Sequence, residues 1–102
     1  MNTELKKGDK VLFYSLEYLI KKYGKTIFGG AKCQFSFTED MSEFYPPNKI
    51  FYIKEVCSDN RIYISEKLNG NTIHTYYDFS SQMVHRADIN LIFCTKKEKY
   101  QN

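Results

Sequence analysis

The chain has 102 residues, 42% hydrophobic and 26% charged, a length and balance that support one domain with a modest core and exclude a disordered or multi-domain chain. The net charge is +3, divided as +4 over residues 1–32 (seven Lys against Glu4, Asp9 and Glu17), −3 over 33–94 and +2 over 95–102, which excludes the uniformly basic face of a strong DNA binder. No apolar run approaches the ~20 residues of a membrane span, and Val11–Ile20 is broken by Glu17 with no small-residue cleavage site after it, so no membrane partner and a cytoplasmic setting are expected.

Lys10–Tyr14 reads as a strand introduced by a Gly8-Asp9 turn. The hydrophobic period then changes. Ser15 is a helix cap, Glu17 lies in the first turn, and Leu16, Leu19, Ile20 and Tyr23 fall at i, i+3, i+4 and i+7, one face of a helix. Lys21 and Lys22 suit its negative end, and Gly24 suits a left-handed C-terminal position. Gly29-Gly30 marks a loop, Cys33–Phe37 alternates like a short strand, and Thr38 caps one helical turn holding Asp40, Met41 and Phe44. Tyr45-Pro46-Pro47 must leave helix.

Residues 49–57, 61–67 and 72–79 read as three strands joined at Ser58-Asp59-Asn60 and Asn69-Gly70-Asn71, a meander. Ser80–Val84 reads as one capped helical turn, Asn90–Cys94 as a last strand and 95–102 as a polar, fraying tail. Nine Tyr and eight Phe with no Trp favour half-buried pleated surfaces. The expectation is a single all-β domain over 1–102, mainly antiparallel: a small barrel of about five strands, since closure removes exposed edges, with one short helix inserted at 15–23.

Several pieces occur in a telling order: Lys7-Gly8-Asp9-Lys10-Val11, Ser15-Leu16-Glu17-Tyr18-Leu19-Ile20, Met41, Lys49-Ile50-Phe51-Tyr52-Ile53, and Tyr76 to Met83. Together they resemble the small SH3-like β-barrel proteins encoded by phages and prophages of Gram-positive bacteria. The chain departs from that pattern in its longer 25–36 segment, in Pro46-Pro47 and in the added 89–102 segment. The resemblance implies an SH3-like barrel, a mobile-element origin and a binding role rather than a reaction. It carries no site residues over.

Chemistry-bearing residues are sparse. Cys33, Cys57 and Cys94 are odd in number and widely spaced, with no CxxC pair, which gives a zinc site little support, so no metal or cofactor is expected. His74 shares a strand face with Tyr76 and Asp78, but any strand lines up residues at that spacing; the protein is expected not to be an enzyme. Lys7-Gly8-Asp9-Lys10 lacks the spacing of a phosphate loop, and Asp9 would repel a phosphate.

Two binding readings remain. In the first, a host or phage protein is the partner. It meets an acidic segment (Glu39, Asp40, Glu43) and a tyrosine surface (Tyr52, Tyr63, Tyr76), which makes the protein an inhibitor or adaptor, with an anti-CRISPR-like counter-defence role by analogy and a basic nucleic-acid enzyme as target. In the second, Lys7, Lys10, Lys21, Lys22 and Lys25 make a weak, sequence-tolerant nucleic-acid binder whose tyrosines stack bases. The near absence of Arg, the usual fork for phosphate and base readout, argues against sequence-specific binding.

Overall fold

A computed structural model of the chain describes residues 5–73 and 77–87. Its elements are β1 (Lys10–Phe13), α1 (Leu16–Tyr23), α2 (Glu39–Phe44), β2 (Ile50–Val56), β3 (Arg61–Ser65), β4 (Phe79–Ser80), a 3-10 turn (Ser81–Met83) and β5 (Val84–Arg86). The strands form one antiparallel sheet in the order β4-β3-β2-β1-β5. The fold is thus mostly antiparallel sheet with two short helices.

The connectivity forces this sheet to curl. β4 and β5 are its two edges, and a flat five-stranded sheet would hold them about 19 Å apart, four spacings of ~4.8 Å. Yet only Ser81–Met83 joins them, and four residue steps reach ~14 Å fully extended and less through a 3-10 turn. No β4–β5 pairing occurs among the described residues, so the ladder does not close into the expected barrel.

Local chemistry explains each element. At the start, Gly8 at φ +94° turns the chain, and the Asp9 carboxylate accepts the Lys6 N–H at 2.9 Å. Gly8 N–H donates to Ile53 O at 2.8 Å, and Ile53 N–H to Asp9 O at 2.9 Å. The turn therefore feeds directly into the β1–β2 ladder.

α1 begins where Ser15 Oγ accepts the Tyr18 N–H at 3.1 Å and ends where Gly24, φ +98° and ψ 165°, donates its N–H to Ile20 O. Gly24 therefore sits in a positive-φ extended conformation, not the left-handed helical one expected. α2 is capped reciprocally: Thr38 Oγ1 accepts the Met41 N–H at 3.1 Å, and the Thr38 N–H points at the Met41 thioether at 3.5 Å. The expected single helical turn there is a six-residue helix.

Other expectations change more. Cys33–Phe37 is not a strand: Phe35 and Ser36 have positive φ, and only Ala31 and Phe37 bridge. Within 72–79 only Phe79 is strand among the described residues, although Ile73 N–H still reaches Ile64 O at 2.8 Å. The β2–β3 hairpin is as the turn residues suggest, with Asn60 at φ +72° and Asn60 N–H donating to Cys57 O. The proposed strand 90–94 and the tail 95–102 lie outside the described residues.

One hydrophobic cluster draws on the sheet, both helices and the 3-10 turn. Phe13 is its hub: fully buried, its ring lies 5.3–5.9 Å from those of Tyr45, Phe51, Phe79 and Phe37. Leu19 is buried from α1, with Leu16, Ile20 and Tyr23 packed beside it as partly buried groups. The helical face read from the sequence is therefore the packing face.

Candidate functional site

The outer face of the sheet carries a row set by register. Leu12 of β1 stands opposite Ile50 of β2 on one side and His85 of β5 on the other. Tyr14 lies two residues beyond Leu12, held as the chain leaves β1 by its N–H to Met83 O at 2.9 Å.

α1 then turns back and lays Tyr18 on Tyr14. The ring centroids are 4.4 Å apart at 21°, a stack, and His85 packs on Tyr14 at 4.6 Å and 36°. Lys22 is one helical turn after Tyr18, the spacing at which helix side chains meet. Its Nζ lies 6.0 Å from the Tyr18 centroid and 5.6 Å from that of Tyr23. The result is a column running His85, Tyr14, Tyr18, Lys22, with Tyr23 at its side.

Electrostatics follow from this packing. Partial burial raises the Tyr14 hydroxyl pKa, the neighbouring Tyr18 and Tyr23 add to the rise, and the Lys22 ammonium opposes it. Lys22 itself is held charged above its ordinary range by the phenol oxygens of Tyr23 and then Tyr18. His85 Nδ1 lies 3.2 Å from the Arg86 carbonyl oxygen.

The expected site residues are placed as follows. Lys7, Lys10, Lys21, Lys22 and Lys25 are all exposed, but only Lys22 joins the tyrosine column; Lys10 stands opposite Tyr52. Glu39, Asp40 and Glu43 line the exposed side of α2. Tyr52 stands opposite Ser65 and Tyr63 opposite Glu55 across a bulge in β2, and no ring contact joins them among the described residues. Tyr76 and His74 lie outside the described residues.

Both arginines within the described residues are engaged. Arg61 sits 5.0 Å over the Phe35 ring and 3.9 Å from Asp59, held charged chiefly by the Tyr63 hydroxyl and then Asp78. Arg86 lies 3.8 Å from Asp9.

A pocket of about 150 Å³ beside Arg61, Tyr63, Ile73, Tyr77 and Asp78 is well short of the roughly 300 Å³ at which small-molecule sites begin. No group of three or more His, Cys, Asp or Glu among the described residues is placed to hold a metal. No helix among them is long and apolar enough to cross a membrane.

Tyr14, Tyr18, Tyr23 and His85 are functional candidates that sequence reasoning missed. Tyr18 and Lys22 at i and i+4 were a visible signal, whereas His85 depended on the long-range β1–β5 pairing. Comparison with family models, with curated proteins and with solved structures gives no match.

Proposed function

We propose that this protein is a non-enzymatic binding module whose ligand is another protein, acting as an inhibitor or adaptor. Its sheet is read as an SH3-like barrel, with β4 and β5 on either side of the seam. The curl imposed by the three-residue link between these edge strands supports that reading. The phage-protein resemblance in the sequence supports a mobile-element origin, and counter-defence inhibition is the role to test first.

The observation that carries protein binding is the occupied column. Stacking a nucleic-acid base needs a free aromatic face. In the column Tyr14 lies between His85 and Tyr18, and Tyr18, 41% exposed, has Tyr14 on one face and the Lys22 ammonium 6.0 Å from its centroid, while the exposed rings of Phe28, Phe44 and Tyr63 lie outside the column. What the column offers a ligand is ring edges, hydroxyls and an ammonium on a rigid support. Such a surface gives contact area at low entropic cost and suits a protein.

Affinity capture with the wild-type chain and with Tyr18→Ala/His85→Ala as baits tests this reading. A protein retained by the first and lost from the second is the expected result. Retention of labelled single-stranded DNA or RNA at low salt, abolished by Lys21→Glu/Lys22→Glu and weakened steeply by added salt, would replace it with the nucleic-acid reading.

A further inference from the structure

Between Lys25 and Ala31 the chain makes a closed turn that carries two large apolar side chains into solvent. Ile27 is 92% and Phe28 85% exposed, and neither takes part in the core cluster. Loops that display apolar groups are usually loose, but this one is pinned. Thr26 N–H donates to Gly30 O at 2.8 Å, and Gly29 N–H to Thr26 O at 3.1 Å. Thr26 Oγ1 accepts from Phe28 N–H at 3.2 Å and from Gly30 N–H at 3.0 Å.

The base is fixed too. Lys25 bridges to Ala31, and Ala31 to Phe37. Gly30 presses on the Phe37 carbonyl so closely that a Cβ would stand 2.5 Å from its oxygen. The backbone of the tip is therefore held in one shape, so its ordering on binding costs little, while the exposed Ile27 and Phe28 side chains still lose rotamer freedom.

Charge flanks the tip with opposite signs. Lys25 leads into it and Lys32 follows it, with Lys21 and Lys22 ending α1 just before. On the return arm the Glu39 carboxylate packs on Gly29, 2.9 Å from where a Cβ would stand, with Asp40 and Glu43 beyond it on α2. None of these seven side chains takes part in an ion pair among the described residues.

We propose that Ile27–Phe28 is the anchor by which the chain docks on its protein partner. It enters an apolar socket whose rim is acidic toward Lys25 and Lys32 and basic toward Glu39 and Asp40. The inference rests on the protein-binding reading above and adds the chemistry of the partner. An aromatic or aliphatic anchor seated in a desolvated pocket makes a hot-spot centre for an interface. A lipid surface fits less well, because the Glu39, Asp40 and Glu43 carboxylates would approach anionic headgroups together with Lys21, Lys22, Lys25 and Lys32 and offset most of their attraction.

The test places a photoreactive p-benzoylphenylalanine at Phe28 and, separately, at Tyr18 of the full chain. Each is irradiated in lysate of the source cells, the adduct is identified by mass spectrometry, and the protein found is purified and titrated. The expected result is one common protein crosslinked from both positions, through apolar residues flanked by charge. Ile27→Ala/Phe28→Ala then binds it at least roughly 30-fold more weakly, the hot-spot range, while its thermal unfolding matches the wild type. An adduct from Tyr18 alone, with affinity unchanged in the double variant, would overturn the anchor and leave the protein-binding reading standing. Adducts from neither position would overturn both. Cosedimentation of the wild-type chain with phosphatidylserine vesicles, lost in the double variant, would reassign the tip to a membrane and overturn the socket.

Discussion

Phe13 and Phe28 are the same side chain in opposite surroundings, and truncating each to Ala separates what holds the fold from what the fold displays. Phe13 is fully buried and touches four aromatic rings. Core Phe→Ala changes cost about 3–5 kcal/mol, and aromatic pairs add about 0.5–1.5 kcal/mol each beyond their area, though not additively. Phe13→Ala therefore belongs at the upper end, about 4–5 kcal/mol. A domain of this length holds about 5–15 kcal/mol in total, so the variant is left marginal. Phe28 is already 85% exposed, and Phe28→Ala should change stability by less than about 0.5 kcal/mol.

Urea unfolding followed by far-UV circular dichroism and tyrosine emission measures both, since the chain has no Trp to dominate the signal. With a slope of about 1 kcal/mol/M, the two midpoints should differ by several molar. If Phe13→Ala does not fold, Phe13→Leu gives the graded version at about 1–2 kcal/mol. A cost below about 1.5 kcal/mol for Phe13→Ala, or above it for Phe28→Ala, would refute the assignment of Phe13 as hub and Phe28 as display.

Gly30→Ala should cost about 2 kcal/mol or more in the same assay, because the new Cβ meets the Phe37 carbonyl oxygen at 2.5 Å and the Thr38 Cα at 2.9 Å. Gly8→Ala, at φ +94° with open space around it, should cost only the backbone strain of about 1–2 kcal/mol. Ser15→Ala removes the cap on Tyr18 N–H and should cost about 1 kcal/mol, visible as a small fall in unfolding midpoint with unchanged slope. Burial pushes the Cys33 thiol up to about 11, so mass-spectrometric mapping of alkylation at pH 8 should find Cys57 modified well before Cys33. The sign for stability follows from that shift. Between the ordinary thiol range near 9 and about 11, the unfolded chain has released the proton that the folded chain keeps, so stability should fall as pH rises through that window, and a Cys33→Ala variant should lose that part of the dependence.

The parts of this fold legible in sequence are those that local chemistry decides. Ser15, Gly24 and the spacing of Leu16, Leu19, Ile20 and Tyr23 marked α1 almost to the residue, and Thr38 marked the start of α2. Asn60 marked the β2–β3 hairpin because only a few residues accept its positive φ. Cys33–Phe37 misled because its alternation is incidental. Its shape is set by partners far along the chain, with Gln34 N–H donating to Gln82 Oε1 at 2.8 Å and Gln34 Nε2 to Asp59 O at 2.7 Å. Which rings meet was illegible for the same reason. Tyr52 and Tyr63 were grouped on period alone, whereas the rings that do meet, Tyr14 with Tyr18 and with His85, are brought together by a helix folding back and by an edge strand arriving from the far end of the domain.

The two candidate contact features share an origin that bears on how the protein can change. Tyr18, Lys22, Ile27 and Phe28 all lie between β1 and β2, in the long connection that also contains α1 and α2. That connection is anchored by Leu19, Ala31, Phe37 and Met41, all buried in the common core, and it shows its other side to solvent. Side chains that face inward set stability and, on the proposed reading, those that face outward set the ligand, so the two should be separable by substitution. Tyr14 and Tyr23 are the exceptions, partly buried against the core while belonging to the column. Substitution there should move stability and binding together, as should Tyr18→Ala to a smaller degree through its lost stack on Tyr14, whereas Ile27 and Phe28 should move binding alone. A Tyr14→Ala variant that lost affinity with no fall in unfolding midpoint would show that the column is laid over the core rather than built into it.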